Sequence, residues 1–276
     1  MTTASIQGQR QAATATTDTA PAAGAVLAPA FVALLRRDLL LLVRRPSRIM
    51  ATVLTPALLW AFFAGGFAEA VASSGESAND AYTLSLAAGA ALLVVTFASI
   101  FGSLGLIRDR ETGYLQAVLV GPTPRWLVIV ARVASGALLA LIQGSVMLIA
   151  AAMLGSGVTV LGLLAAACML VFTALGLSGA CTALAWHFRS IEGFHGVMAA
   201  VLLPAWLLSG AVFPPDAASE TMRTLMLFNP LSYGHAAIAG SFGAFEIGTV
   251  PVLASIGFGV VGTVAAVVAA TGDAKR

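Results

Sequence analysis

Apolar stretches long enough to cross a bilayer alternate with short charged segments along this chain. Runs with at most one charge cover 49–67, 84–107, 126–154, 158–186, 194–212 and 250–270. At ~1.5 Å rise per helical residue, such runs match the ~30 Å of a hydrocarbon core. The pattern predicts an all-α polytopic membrane protein with six transmembrane helices within 47–271. Pro56 predicts a kink in the first span, and Pro204 lies in the fifth.

Between the second and third runs lies the segment 108–125, RDRETGYLQAVLVGPTPR. Glu111 near its start and Leu115, Val118 and Leu119 at helical spacing predict a short amphipathic helix. The run Gly121-Pro122-Thr123-Pro124 ends it by supplying a turn residue and removing backbone donors. Two readings of this segment stand side by side: a cytosolic handle that passes a push to the two spans holding it, or an ordinary positive-inside loop.

Ahead of the first span the pattern differs. Residues 1–28 are rich in Thr and Ala without periodicity and predict a disordered cytosolic tail. From Pro29 to Pro46, Phe31, Leu35, Leu39 and Leu42 fall on one side of a helix while Arg36, Arg37 and Arg44 point away. That pattern over 29–46 predicts an amphipathic helix in the membrane interface, its arginines toward lipid phosphates; the alternative is a cytosolic extension of the first span. Asp38 interrupts the pattern and calls for a neighbouring arginine or a partner protein. Beyond the fifth span, the polar stretch 213–249 carries an apolar island, Leu225 to Phe228, too short to cross. It predicts a re-entrant extracellular segment, covered by protein where it dips into lipid.

Charge then fixes the orientation. With six spans, Arg36, Arg37, Arg44, Arg45, Arg48, Arg108, Arg110, Arg125, Arg189, Lys275 and Arg276 share one side, and Arg223 faces the other. Both termini are therefore expected in the cytoplasm, with the chain in the inner (plasma) membrane. Composition agrees with this class: 59% of residues are hydrophobic and 9% charged, against about a quarter charged in soluble domains, and the mean hydropathy is +0.96.

Chemistry is sparse. The single lysine, Lys275, stands next to the end of the sequence, so the chain holds no Gly-rich loop with a lysine for nucleotide phosphates and is not expected to be an enzyme. The spans carry no internal carboxylate, which argues against an ion-coupled carrier. Arg132 lies within two turns of the cytosolic end of its span and is expected to snorkel to the interface; Gln143, deeper, either bonds across helices or lines a path. Cys168 and Cys181 fall on one predicted helix ~20 Å apart, too far for a disulfide. His187, His195 and His235 are scattered, so no metal site is expected. Gly176-Leu177-Ser178-Gly179 matches the serine environment of rhomboid-type intramembrane proteases, yet His235 lies outside the sixth span and the second span has no His or Asn to help hold an oxyanion, and small residues equally suit helix packing.

Three pieces carry a family likeness: R-D-R-E-T-G at 108–113, the Gly-Pro-Thr-Pro-Arg turn, and L-S-G-A-V-F-P-P at 208–215 followed by N-P-L-S-Y at 229–233. Over about residues 30–270 the chain resembles the membrane subunits of type-2 ATP-binding cassette exporters, the family of drug-resistance, nodulation-factor and polysaccharide export permeases. The resemblance implies two permease subunits, a homodimer or a heterodimer with a paralogue. Each would dock a separate ATPase that binds ATP and Mg, leaving no cofactor in this chain and no nucleic-acid partner. It implies a coupling helix using Arg108, Asp109, Arg110, Glu111, Thr112, Gly113 and Leu115, the last packing on the ATPase. Arg36, Arg37, Asp38, Arg44 and Arg45 would belong to the interface helix, and Pro214, Pro215, Asn229, Pro230 and Tyr233 to an extracellular gate region. The cargo expected is a lipophilic or amphipathic drug or lipid-like metabolite; the alternative is a polysaccharide or lipid-linked glycan.

Overall fold

Within lipid a backbone must satisfy its own donors and acceptors, which is why long apolar runs resolve into helices. The computed structural model describes residues 23–44, 50, 52–62, 76–121, 123–154, 158–215 and 218–272. Among them are α1 (Ala23–Val43), α2 (Thr52–Phe62), α3 (Glu76–Glu111), α4 (Tyr114–Val120) and α5 (Arg125–Leu154). There follow α6 (Val160–Ala185), α7 (Ile191–Trp206), α8 (Glu220–Phe228), α9 (Pro230–Phe242) and α10 (Thr249–Gly272). No strand occurs among the described residues. Five helices, α3, α5, α6, α7 with its continuation, and α10, are long and apolar enough to cross a membrane, and α2 is shorter. The tail before Ala23, Arg45, Pro46, Arg48, Glu69, Pro122, the Gly155–Gly157 turn, Asp216 and the C-terminal charges lie outside the described residues.

Two boundaries differ from the sequence pattern. Helix α1 begins at Ala23 and takes Pro29 inside it, so 23–28 is helix and not tail. Helix α3 takes in Glu76 and Asp80 at one end and Arg108–Glu111 at the other. Glu111 therefore closes the long helix; it does not open the short one. Gly113 makes the break: its φ of 75° lies in the left-handed region, and its N–H bonds the carbonyl of Arg110 at 3.2 Å.

Helix α3 is the axis of the bundle. Ala87, Ala88, Ala91, Leu92, Val94 and Val95 are fully enclosed, with α5, α6, α7 and α9 packed around them. A stripe of small residues joins α6 to α10. A Cβ at Gly259 would lie 2.9 Å from the carbonyl oxygen of Phe172, and one at Gly179 or Gly262 would overlap the facing backbone. Such close approach maximises dispersion contact where lipid supplies no hydrophobic driving force. Ser178 sits on the opposite side of this seam, its hydroxyl 3.2 Å from that of Ser99 on α3, so the Gly-x-Ser-Gly motif works in helix packing.

Helix α7 loses its regular ladder near Pro204 and widens into a π turn, Leu207–Ala211, with Gly210 at φ 85°. Side chains from the next hairpin take up the slack. Asn229 donates from Nδ2 to the carbonyl of Ala205 at 2.6 Å while its Oδ1 accepts the N–H of Leu231 at 3.0 Å, capping α9. Ser232 donates to the carbonyl of Leu208 at 3.1 Å, and the Tyr233 hydroxyl donates to that of Leu227 at 2.9 Å. Pro230 occupies the first turn of α9, where a missing N–H costs nothing. Of the apolar island only Met226 is buried; Leu225, Leu227 and Phe228 are exposed, and it is α9, through Leu231, His235 and Ile238, that enters the core.

Trp206 fixes this junction to the axis by donating from Nε1 to the carbonyl of Gly89 at 2.8 Å. Trp206→Phe is expected to cost about 1 kcal/mol for that bond, read as a lower thermal unfolding midpoint in detergent with unchanged helix content by circular dichroism.

Candidate functional site

At the end of the bundle that carries α4, four charges from three helices converge. The Arg37 guanidinium on α1 grips Asp109 on α3 with both arms, Nη2 to Oδ1 at 2.7 Å and Nη1 to Oδ2 at 3.0 Å. Arg132 of α5 donates to the same carboxylate and sits 3.5 Å from Asp38, which also pairs with Arg37 at 3.2 Å. The planar fork of arginine suits this two-armed grip. Arg37 also lies over the Tyr114 ring, 3.7 Å from its centroid, tying α4 to the cluster.

The side chains of Asp38 and Asp109 are 12% and 9% exposed, so their charges persist only because cations face them. Burial pushes the Asp38 carboxyl up from its ordinary value, against the pull of Arg132 and Arg37. The sequence pattern placed Arg37 toward lipid phosphates and Arg132 toward the interface. Both instead turn into the protein, because Asp38 and Asp109 lie at the same level. The legible signal was four complementary charges at one depth, on segments that the span order brings to one side.

The run Arg108–Gly113 divides its labour by helical position. Asp109 faces α1 and α5. Arg110 faces the other way, donating to the carbonyls of Trp186 at 2.9 Å and Phe188 at 3.3 Å, with its guanidinium 4.9 Å from the Trp186 ring. It thereby serves carbonyls just past the end of α6. Glu111, Thr112 and Gly113 are exposed, as are Gln116, Ala117 and Val120 on α4, Val120 at 88%. Leu115 departs from the expected outward packing: it is buried within this chain with Ile107, Val128 and Phe194. The outward apolar side chain on α4 is Val120, which the periodicity had not singled out.

Beside the charges opens a cavity of about 250 Å³ lined by α1, α2, α3 and α5. Arg108 and Gln143 line it. Gln143 is 4% exposed, and its Oε1 has no hydrogen-bond partner. Arg36 and Arg44 are exposed on α1. At the far end, Pro214 and Pro215 are exposed, and Arg223 donates to the carbonyl of Pro215 at 3.3 Å.

An all-helical bundle with five apolar helices of spanning length and a tied charged end defines a multi-pass membrane protein. Residues 29–242 match the family model described as ABC-2 type transporter, and the chain belongs to that membrane family. It is also 28% identical over 207 residues to the "Putative transport permease ycf38" of Porphyra purpurea, covering 73% of this chain and 69% of the relative. The chain is accordingly of the transport permease class.

Proposed function

We infer that this chain is the membrane subunit of an ATP-driven exporter, moving a lipophilic or amphipathic compound out of the cytoplasm or inner leaflet. Family membership implies a lipid bilayer and an ABC ATPase partner, and that partner holds ATP and Mg. In this reading the first of six spans runs over 49–67, of which Thr52–Phe62 is the described helix. Both termini then face the cytoplasm, and two permease copies, or this chain and a paralogue, enclose the path.

The observation that carries the reading is the exposed edge Glu111–Gly113 with Gln116 and Val120, set on a helix end where Asp109 and Arg110 are tied inward. An ATPase seated there pushes on α3 and α4 together. ATP biases access only through contacts that differ between the two motor states. Spans without internal carboxylates, carrying Phe97, Phe101, Met147, Met169, Phe172, Met198 and Trp206, suit an amphipathic cargo.

The test is Glu111→Lys, which reverses an exposed charge without touching the core. Transport is expected to be abolished and co-purification of the ATPase reduced, with membrane insertion unchanged. Normal stimulation of the ATPase by this variant would remove the coupling role.

A further inference from the structure

We propose that the cavity between α1, α2, α3 and α5 binds a single-chain anionic amphiphile. Its charged head sits at Arg108, and a hydroxyl or amide N–H of its chain bonds the side-chain amide of Gln143. The site goes beyond the export reading and is defined by its own lining.

One end of the cavity holds Arg37, Arg108, Arg132, Asp38 and Asp109. The two carboxylates are taken up by Arg37 and Arg132. Arg108 makes no ion pair or hydrogen bond through its side chain among the described residues, so this end carries one surplus positive charge. The remaining lining mixes Leu41, Ala98, Phe101, Leu139 and three glycines with the hydroxyls of Thr52, Thr112 and Ser135. Gln143 lines it too, and a buried amide oxygen without a donor costs about 1–3 kcal/mol until one arrives. Leu41 is exposed, so the cavity communicates with the α1 surface.

Dimensions narrow the occupant. Arg132 shares the charged end of the cavity with Arg108, and Gln143 follows Arg132 on α5 at a rise of ~1.5 Å per residue, so the charged end and the amide lie ~16 Å apart along the helix. With carbon–carbon bonds of ~1.5 Å and a zigzag chain, about a dozen bonds cover that distance. A volume of about 250 Å³ falls below the ~300–1,000 Å³ of ordinary ligand pockets, which favours one thin chain over a ring system. A carboxylate or phosphate head with a donor about a dozen carbons along its chain fits all three features. Water alone would answer Gln143 but gains nothing from the apolar walls.

The probe is 12-hydroxystearate, measured against stearate, its own methyl ester and acetate, on the purified full chain in phosphatidylcholine nanodiscs with empty discs subtracted. Expected is about tenfold tighter binding of 12-hydroxystearate than of stearate or the methyl ester, with no displacement by acetate. Gln143→Leu should erase the preference over stearate, and Arg108→Gln the preference over the ester. Equal binding of the three long-chain probes, or displacement by acetate, overturns the proposal. The comparison among probes is made in the unaltered chain, so a variant that fails to fold does not shelter it. Binding is read on the permease alone, so its failure and a failure of the Glu111 test are separate results.

Discussion

Asp109→Asn is expected to lower the thermal unfolding midpoint more than any other single charge removal in this chain. The substitution keeps the shape of the side chain but leaves Arg37 and Arg132 facing a neutral amide, with Asp38 as their remaining acid. Breaking a buried pair typically costs ~3–5 kcal/mol. Arg37 keeps 27% of its side-chain surface in contact with solvent, which reduces the loss to about 2–4 kcal/mol, a fall on the order of 5–10 °C for a chain of this size. A double-mutant cycle gives the sharper reading. Arg132→Gln combined with Asp109→Asn should destabilise by at least ~1 kcal/mol less than the sum of the single changes. Strict additivity would show that the pair contributes nothing.

The second large effect is expected at Gly262. A Cβ there would overlap the backbone of Gly176, and backbone cannot rotate aside as a side chain does. Gly262→Ala should cost about 1–3 kcal/mol from overpacking, and Gly262→Leu should lever α10 off α6 and abolish a monodisperse peak on size exclusion. Gly257 is the internal control, because it lies on the same helix with open space around its Cβ position. Gly257→Ala should be neutral or stabilising by ~0.5–1 kcal/mol through helix propensity. If the two alanine variants unfold at one temperature, the close seam is not what holds α10.

How far the sequence could be read depended on the kind of interaction involved. Helical character and the apolar helices were visible because bilayer thickness imposes a length on them. The small residues of Gly176-Leu177-Ser178-Gly179 were legible as a helix-packing surface, and Gly179 does meet the α10 backbone. What escaped were pairings across long sequence distances. Arg37 and Asp109 are 72 residues apart, and periodicity within one helix says which side a charge takes but not who meets it. Leu115 packs otherwise than expected for the same reason: an apolar residue on a short helix fits a partner or its own bundle equally well. The roles of Asn229 and Ser232 could not be seen without the π turn, whose loose carbonyls are what these side chains serve.

That turn has a mechanical corollary. Asn229 and Ser232 stand in for rungs missing from α7, holding Ala205 and Leu208 by side-chain bonds to a neighbour on another element. A lengthwise slip of this part of α7 therefore drags the head of α9 along with it. The widened turn is a register joint shared by two helices, and motion at either one is felt at the other in step.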